Sequence, residues 1–151
     1  MAGLYFEQFS VGQSFDHEIR RTVTEADNVW FCTATHNPAR IHLDAEYCRT
    51  TEFGKPLINS LFTLGLVIGL SVQDTTFGTT IANLGMTDVT FPKPVFAGDT
   101  LRARTTVLAV RASQSRPGQG IVTLRHEGLN HRDESVCLCT RQALMLRAPA
   151  P

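Results

Sequence analysis

At 151 residues, the chain fits one domain and can bury a core without disulfides or a structural metal. Its 14 basic and 14 acidic residues cancel, leaving no overall field to draw in nucleic acid or an anionic membrane surface, so neither is an expected partner. The four cysteines, Cys32, Cys48, Cys137 and Cys139, occur in a chain with no other secreted character and read as free thiols in a reducing cytoplasm.

Met1 to Ser10 lack a basic segment, an apolar run and a small-residue cleavage site, so no signal peptide is expected. Ser14 to Val23 reads as a short strand. Thr24-Glu25-Ala26-Asp27 then sets a hydroxyl three positions before a carboxylate, the pattern of a capping box, and predicts a helix that Pro38 interrupts. Asp44 suits the N-cap of a second short helix over Ala45 to Thr50, with His42 in the loop just before it.

Gly54 and Pro56 mark a turn. From Leu57 to Ser71 apolar residues cover nearly every face of a helix, which predicts that protein surrounds it. The apolar run to Leu70 is too short to span a bilayer and carries Asn59, Ser60 and Thr63. Gly65 and Gly69 lie on one side of it and suggest a stripe where a sheet approaches closely.

Thr75 to Thr80 reads as a loop. Four alternating segments follow: Ile81 to Phe91, Thr100 to Arg111, Gly120 to Asn130 and Val136 to Arg147, joined by turn chemistry at Gly98-Asp99, Pro117-Gly118 and His131 to Glu134. A meander is the simplest connection. The order predicts an α+β domain over residues 1–151, with helices grouped on one face of an antiparallel sheet. Cys137 and Cys139 share a strand face with His131 nearby, but no second Cys/His pair stands at ligand spacing, so no metal is expected.

The segment Thr35-His36-Asn37-Pro38-Ala39-Arg40-Ile41-His42-Leu43-Asp44 resembles the hydratase motif of the MaoC-like, or R-specific enoyl-CoA hydratase, family, which reads Ser/Thr-Gly-Asp-x-Asn-Pro-x-His-x-Asp. Further matches are Thr51-Glu52-Phe53-Gly54, Asn59-Ser60-Leu61 and Phe91 to Asp99. Pro56 to Leu66 looks closer to the mesaconyl-CoA-type hydratases than to the fatty-acyl ones. Aligned without gaps, the motif histidine is His42 and its aspartate falls on Asn37.

The resemblance implies the hot-dog fold, in which a curved antiparallel sheet wraps a long central helix. It implies a homodimer or larger homo-oligomer with the site at the dimer interface, a 2-enoyl-CoA substrate, and no cofactor apart from the CoA of that substrate. It makes His42 the proton-transfer group and Asn37 its companion, with Asn59 and Ser60 on the substrate side, where the Ser60 amide polarises the thioester carbonyl. The motif's asparagine and proline fall on Ala39 and Arg40, and Arg40 is a candidate contact for a substrate carboxylate or a CoA phosphate.

An amide can hold water but cannot act as a carboxylate base. Three readings follow: hydration with His42 transferring the protons and Asn37 orienting water; hydration with His36 as the missing base; or a catalytically silent acyl-CoA-binding or assembly subunit. A hot-dog acyl-CoA thioesterase is a further alternative.

Overall fold

A computed structural model describes residues 3–149; the two residues at each end of the expected 1–151 domain lie outside the described residues. Thr24 does cap a helix, α1 (Glu25–Ala34), through the reciprocal pair with Asp27 that its sequence announces. The predicted first strand divides into β1 (Ser14–Asp16) and β2 (Arg21–Thr22), both paired with β4 (Thr100–Ala112). Asp44 caps α3 (Ala45–Cys48) by accepting from the Tyr47 amide at 2.8 Å. Before it lies an additional turn of helix, α2 (Arg40–Leu43), so His42 sits in a helix and not in the expected loop.

The long helix, α4 (Ser60–Thr75), precedes β3 (Thr80–Thr90); β5 (Gln119–Leu129) and β6 (Ser135–Leu146) follow β4. All pairings are antiparallel and the order is β1-β4-β5-β6-β3. The meander therefore holds only from β4 to β6. β3 pairs with β6 at the far edge, and the connection 91–99 crosses back to β4. Local turn residues are silent on such a long-range choice of partner. The result is the expected α+β domain with an antiparallel sheet and one long helix against it.

Alternation decides which sheet face is inward. Leu101, Ala103, Thr105 and Val107 of β4 are buried, and their neighbours Arg102, Arg104 and Thr106 are only partly covered. One core cluster joins Val67 and Leu70 of α4 to Leu101, Ala103, Val136 and Cys137; a second gathers Val107, Val122, Leu124, Ala143 and Met145 under Phe9.

Two expectations for α4 are corrected. Leu61, Gly65, Gly69 and Gln73 recur every fourth residue along one open face, so the helix is covered on one side only. The glycine stripe is on that open side, with nothing within 4 Å of where a Cβ would stand. The close approach to the sheet comes from the opposite partner: a Cβ on Gly128 of β5 would lie 2.4 Å from the Val67 Cγ2 atom.

Candidate active site

The chain leaves α1 through His36, whose φ of 53° is left-handed, and turns into α2 with the Asn37 Oδ1 accepting from the Ala39 amide at 3.0 Å. α2 delivers His42. Its Nδ1 lies 2.9 Å from the Leu57 carbonyl oxygen. A carbonyl only accepts, so Nδ1 carries a hydrogen, and in the neutral ring that leaves the lone pair on Nε2.

Asn28 of α1, an organiser that the motif does not include, holds this arrangement. Its Nδ2 donates to the carbonyls of His42 and Leu57, each at 2.9 Å, and its Oδ1 accepts from the Asn59 amide at 2.8 Å. The residue is buried. The available signal was an amide side chain one helical turn before Cys32, on the face of α1 that turns inward.

His42 borders a cavity of about 380 Å³. Phe53, Leu57 and Ile58, Ser60 and Thr63 at the start of α4, and Phe91, Lys93, Val95 and Val136 line it as well. The crossing connection is held there because the Ile58 amide donates to the Val95 carbonyl at 2.9 Å.

Ser60 occupies the first turn of α4, where amides have no intrahelical acceptor, and its own N–H has no backbone partner among the described residues. The helix dipole adds positive potential at that point. A free imidazole nitrogen, an unpaired amide and an apolar wall therefore meet in one cavity, a combination suited to moving a proton beside a developing oxyanion.

The other expected site residues are placed differently. Asn59 is buried and caps α4: its Oδ1 accepts from the Leu61 amide at 2.9 Å and its Nδ2 faces the Cys32 Sγ at 3.9 Å, so it does not border the cavity. Asn37 stands outside the lining as well, its Oδ1 taken by the turn and its Nδ2 unpartnered among the described residues. His36 is exposed at the turn.

Arg40 does not border the cavity. Its Nε donates to Asp44 Oδ2 at 2.9 Å and its guanidinium lies 4.5 Å from the Tyr47 ring centroid, because the short helices α2 and α3 bring those groups together. Cys137 and Cys139 are buried thiols; burial pushes Cys137 up to about 12.

A second polar chain lies away from the cavity. Asp74 Oδ2 meets His17 Nδ1 at 2.7 Å, His17 Nε2 meets Thr105 Oγ1 at 2.8 Å, and that hydroxyl meets His126 Nδ1 at 2.9 Å. Burial, followed by the neighbouring Arg141 and His17 charges, pushes His126 down to about 3. His126 Nε2 and the Arg141 Nε and Nη2 atoms are buried without a partner among the described residues.

Comparison with known proteins now places the chain. Residues 7–128 match the MaoC like domain. A mesaconyl-CoA hydratase of Cereibacter sphaeroides is 33% identical over 156 aligned positions, which take in 99% of this chain and 44% of that protein. The chain thus spans less than half the length of that curated relative.

Among solved structures, a MaoC-like dehydratase from Rhodospirillum rubrum superposes with a TM-score of 0.85 at 33% identity, covering 98% of this chain and 100% of that one. A Mycobacterium tuberculosis protein described as a double hot-dog fold superposes with a TM-score of 0.88 at 29% identity, covering 99% of this chain and 46% of that one. The fold is a hot-dog fold, and the chain belongs to the MaoC-like domain family.

Proposed function

We propose that this chain catalyses the reversible hydration of a 2-enoyl-CoA thioester. The observation that carries the reading is the cavity shared by His42, with Nε2 unpartnered, and the free N–H of Ser60. His42 Nε2 takes a proton from water as its oxygen bonds to C3. The C2–C3 π electrons move toward the thioester, whose carbonyl oxygen gains charge against the Ser60 amide, and the imidazolium returns a proton to C2. Asn37, ahead of α2 and outside the cavity lining, would have to turn its Nδ2, unpartnered among the described residues, toward the cavity to orient the water. The named activities of the relatives support the same chemistry and favour a branched, carboxylate-bearing acyl group.

A second copy of the chain completes the assembly along β3. That strand has a partner on one side only and exposes Ile81, Leu84 and Val89, while the open face of α4 exposes Leu61 beside Gly65 and Gly69. Matching half of a double hot-dog protein supports a second hot-dog unit from another copy. No helix among the described residues is long and apolar enough to cross a membrane. A cytoplasmic setting belongs to the same reading, and the four buried free thiols suit it.

The test follows loss of enoyl-thioester absorbance with crotonyl-CoA and mesaconyl-CoA, for the wild type beside His42→Ala and Asn37→Asp. The reading requires wild-type turnover that His42→Ala reduces by roughly 10² to 10⁴; turnover indifferent to His42→Ala overturns it. The amide at position 37 favours one rival, the silent acyl-CoA-binding or assembly subunit. No wild-type turnover, with activity emerging in Asn37→Asp, selects that rival, and release of free CoA selects a thioesterase.

A further inference from the structure

Among the described residues that line the His42 cavity, Lys93 is the only one with a fixed charge; no Asp, Glu or Arg shares the lining. Three other cations have partners of their own. Arg40 is bound to Asp44 and stacked on Tyr47, Lys55 lies 4.3 Å from the Phe96 ring centroid, and Arg132 holds Glu134. Lys93 enters no ion pair among the described residues.

Glu134, which feels the Lys93 charge through space, already accepts from Asn130 Nδ2 and Arg132 Nε, each at 2.8 Å. Lys93 is exposed at the edge of this apolar cavity, and among the described residues no anion of its own chain is ion-paired with it.

A cavity of about 380 Å³ suits an acyl group and its thioester far better than a whole CoA. An anion entering it leaves water, and that is costly unless an opposite charge receives it. A purely alkyl acyl chain would fill the same wall and leave the exposed ammonium in water, whereas a carboxylate on the acyl chain would gain an ion pair with it. Resting on the hydratase reading for the identity of the thioester, we infer that Lys93 receives a carboxylate on the acyl chain and so selects carboxylate-bearing enoyl thioesters over alkyl ones. Lys93 is a substrate-contact residue here, with no part in proton transfer.

The same ammonium could instead meet a phosphate of CoA, a source common to every thioester, and two matched pairs of ligands separate the cases. The first pair, succinyl-CoA and butyryl-CoA, is saturated and cannot be hydrated, so its binding, measured by calorimetry, does not depend on the catalytic reading. Wild type binds succinyl-CoA the more tightly; Lys93→Met weakens it about 30-fold or more and leaves butyryl-CoA unchanged, and Lys93→Arg keeps the preference.

The second pair, mesaconyl-CoA and crotonyl-CoA, shows the same selective loss in kcat/KM where there is turnover. Equal loss with both members of a pair assigns Lys93 to the CoA phosphates and overturns the inference. No loss with either member also overturns it. Failure of hydration alone, with selective binding intact, sinks the proposed reaction and leaves the carboxylate contact standing.

Discussion

Asn28 and His42 are fastened through one shared acceptor: the Leu57 carbonyl takes a hydrogen from Asn28 Nδ2 and another from His42 Nδ1, both at 2.9 Å. Asn28 also binds the His42 carbonyl. The tautomer and orientation of the imidazole are thus coupled to a side chain in α1 that does not border the cavity. Asn28→Ala deletes both donated bonds and the acceptor of the Asn59 amide, leaving buried groups unsatisfied. The expected cost is about 2 to 4 kcal/mol in urea unfolding. In the fraction still folded, kcat should fall while His42 remains present. Unchanged stability and turnover would show that Asn28 does not position His42.

Gly128 marks where α4 comes closest to the sheet. A Cβ there would stand 2.4 Å from the Val67 Cγ2 and 3.4 Å from the Cys137 Cβ, and both neighbours are buried. Gly128→Ala should destabilise by about 1 to 3 kcal/mol through overpacking. Adding Val67→Ala removes the obstructing methyls, so the double variant should lose less than the sum of the single ones. Strict additivity in that cycle would refute the contact.

These two positions mark the limits of sequence reading here. Capping chemistry is local, so Thr24 with Asp27 and Asp44 with Tyr47 were legible, as were the four long strands to within a residue or two. His42 stood out through its motif. The buried side of α4 did not, because an almost wholly apolar helix has no periodicity to read, and its glycines proved to face outward. The β3–β6 pairing is set by contacts far apart in sequence. Asn28 and Lys93 acquire their roles only when α1 and the 91–99 connection are brought to the cavity.

The edge of β3 offers a direct test of assembly. Leu84 is 48% exposed on a strand whose only partner among the described residues is β6. A charge at such an edge opposes pairing with another chain. Leu84→Lys should leave the fold intact and convert the expected dimer to monomer in light scattering after size-exclusion chromatography. A wild-type monomer at micromolar concentration, or a variant that stays dimeric, would argue against assembly through this edge.

His126 gives the stability of the protein a pH dependence whose sign can be worked out. In the folded chain its pKa is down to about 3, against 6.5 for the free side chain. Between those values the unfolded chain takes a proton that the folded chain refuses. Stability is therefore greatest above pH 6.5 and declines as pH falls, by at most about 1.4 kcal/mol per pH unit, until the folded group also titrates.

The groups facing His126 are Thr105 on β4, His17 beyond it, and Cys139 and Arg141 on β6; the Thr105 hydroxyl bridges His17 Nε2 and His126 Nδ1. Protonating His126 would add a buried positive charge near Arg141, whose own charge already holds the His126 pKa down. Acidic groups held below their usual range, such as Asp27 and Glu134, add their own losses at lower pH, so pH 5 to 7 isolates the histidine contribution.

His126→Asn keeps a donor for Thr105 but cannot titrate. Its urea midpoint should be lower than that of wild type at pH 7, where a ring-sized gap remains, yet change much less between pH 7 and 5. Parallel pH slopes for wild type and His126→Asn would show that some other group drives the acid sensitivity.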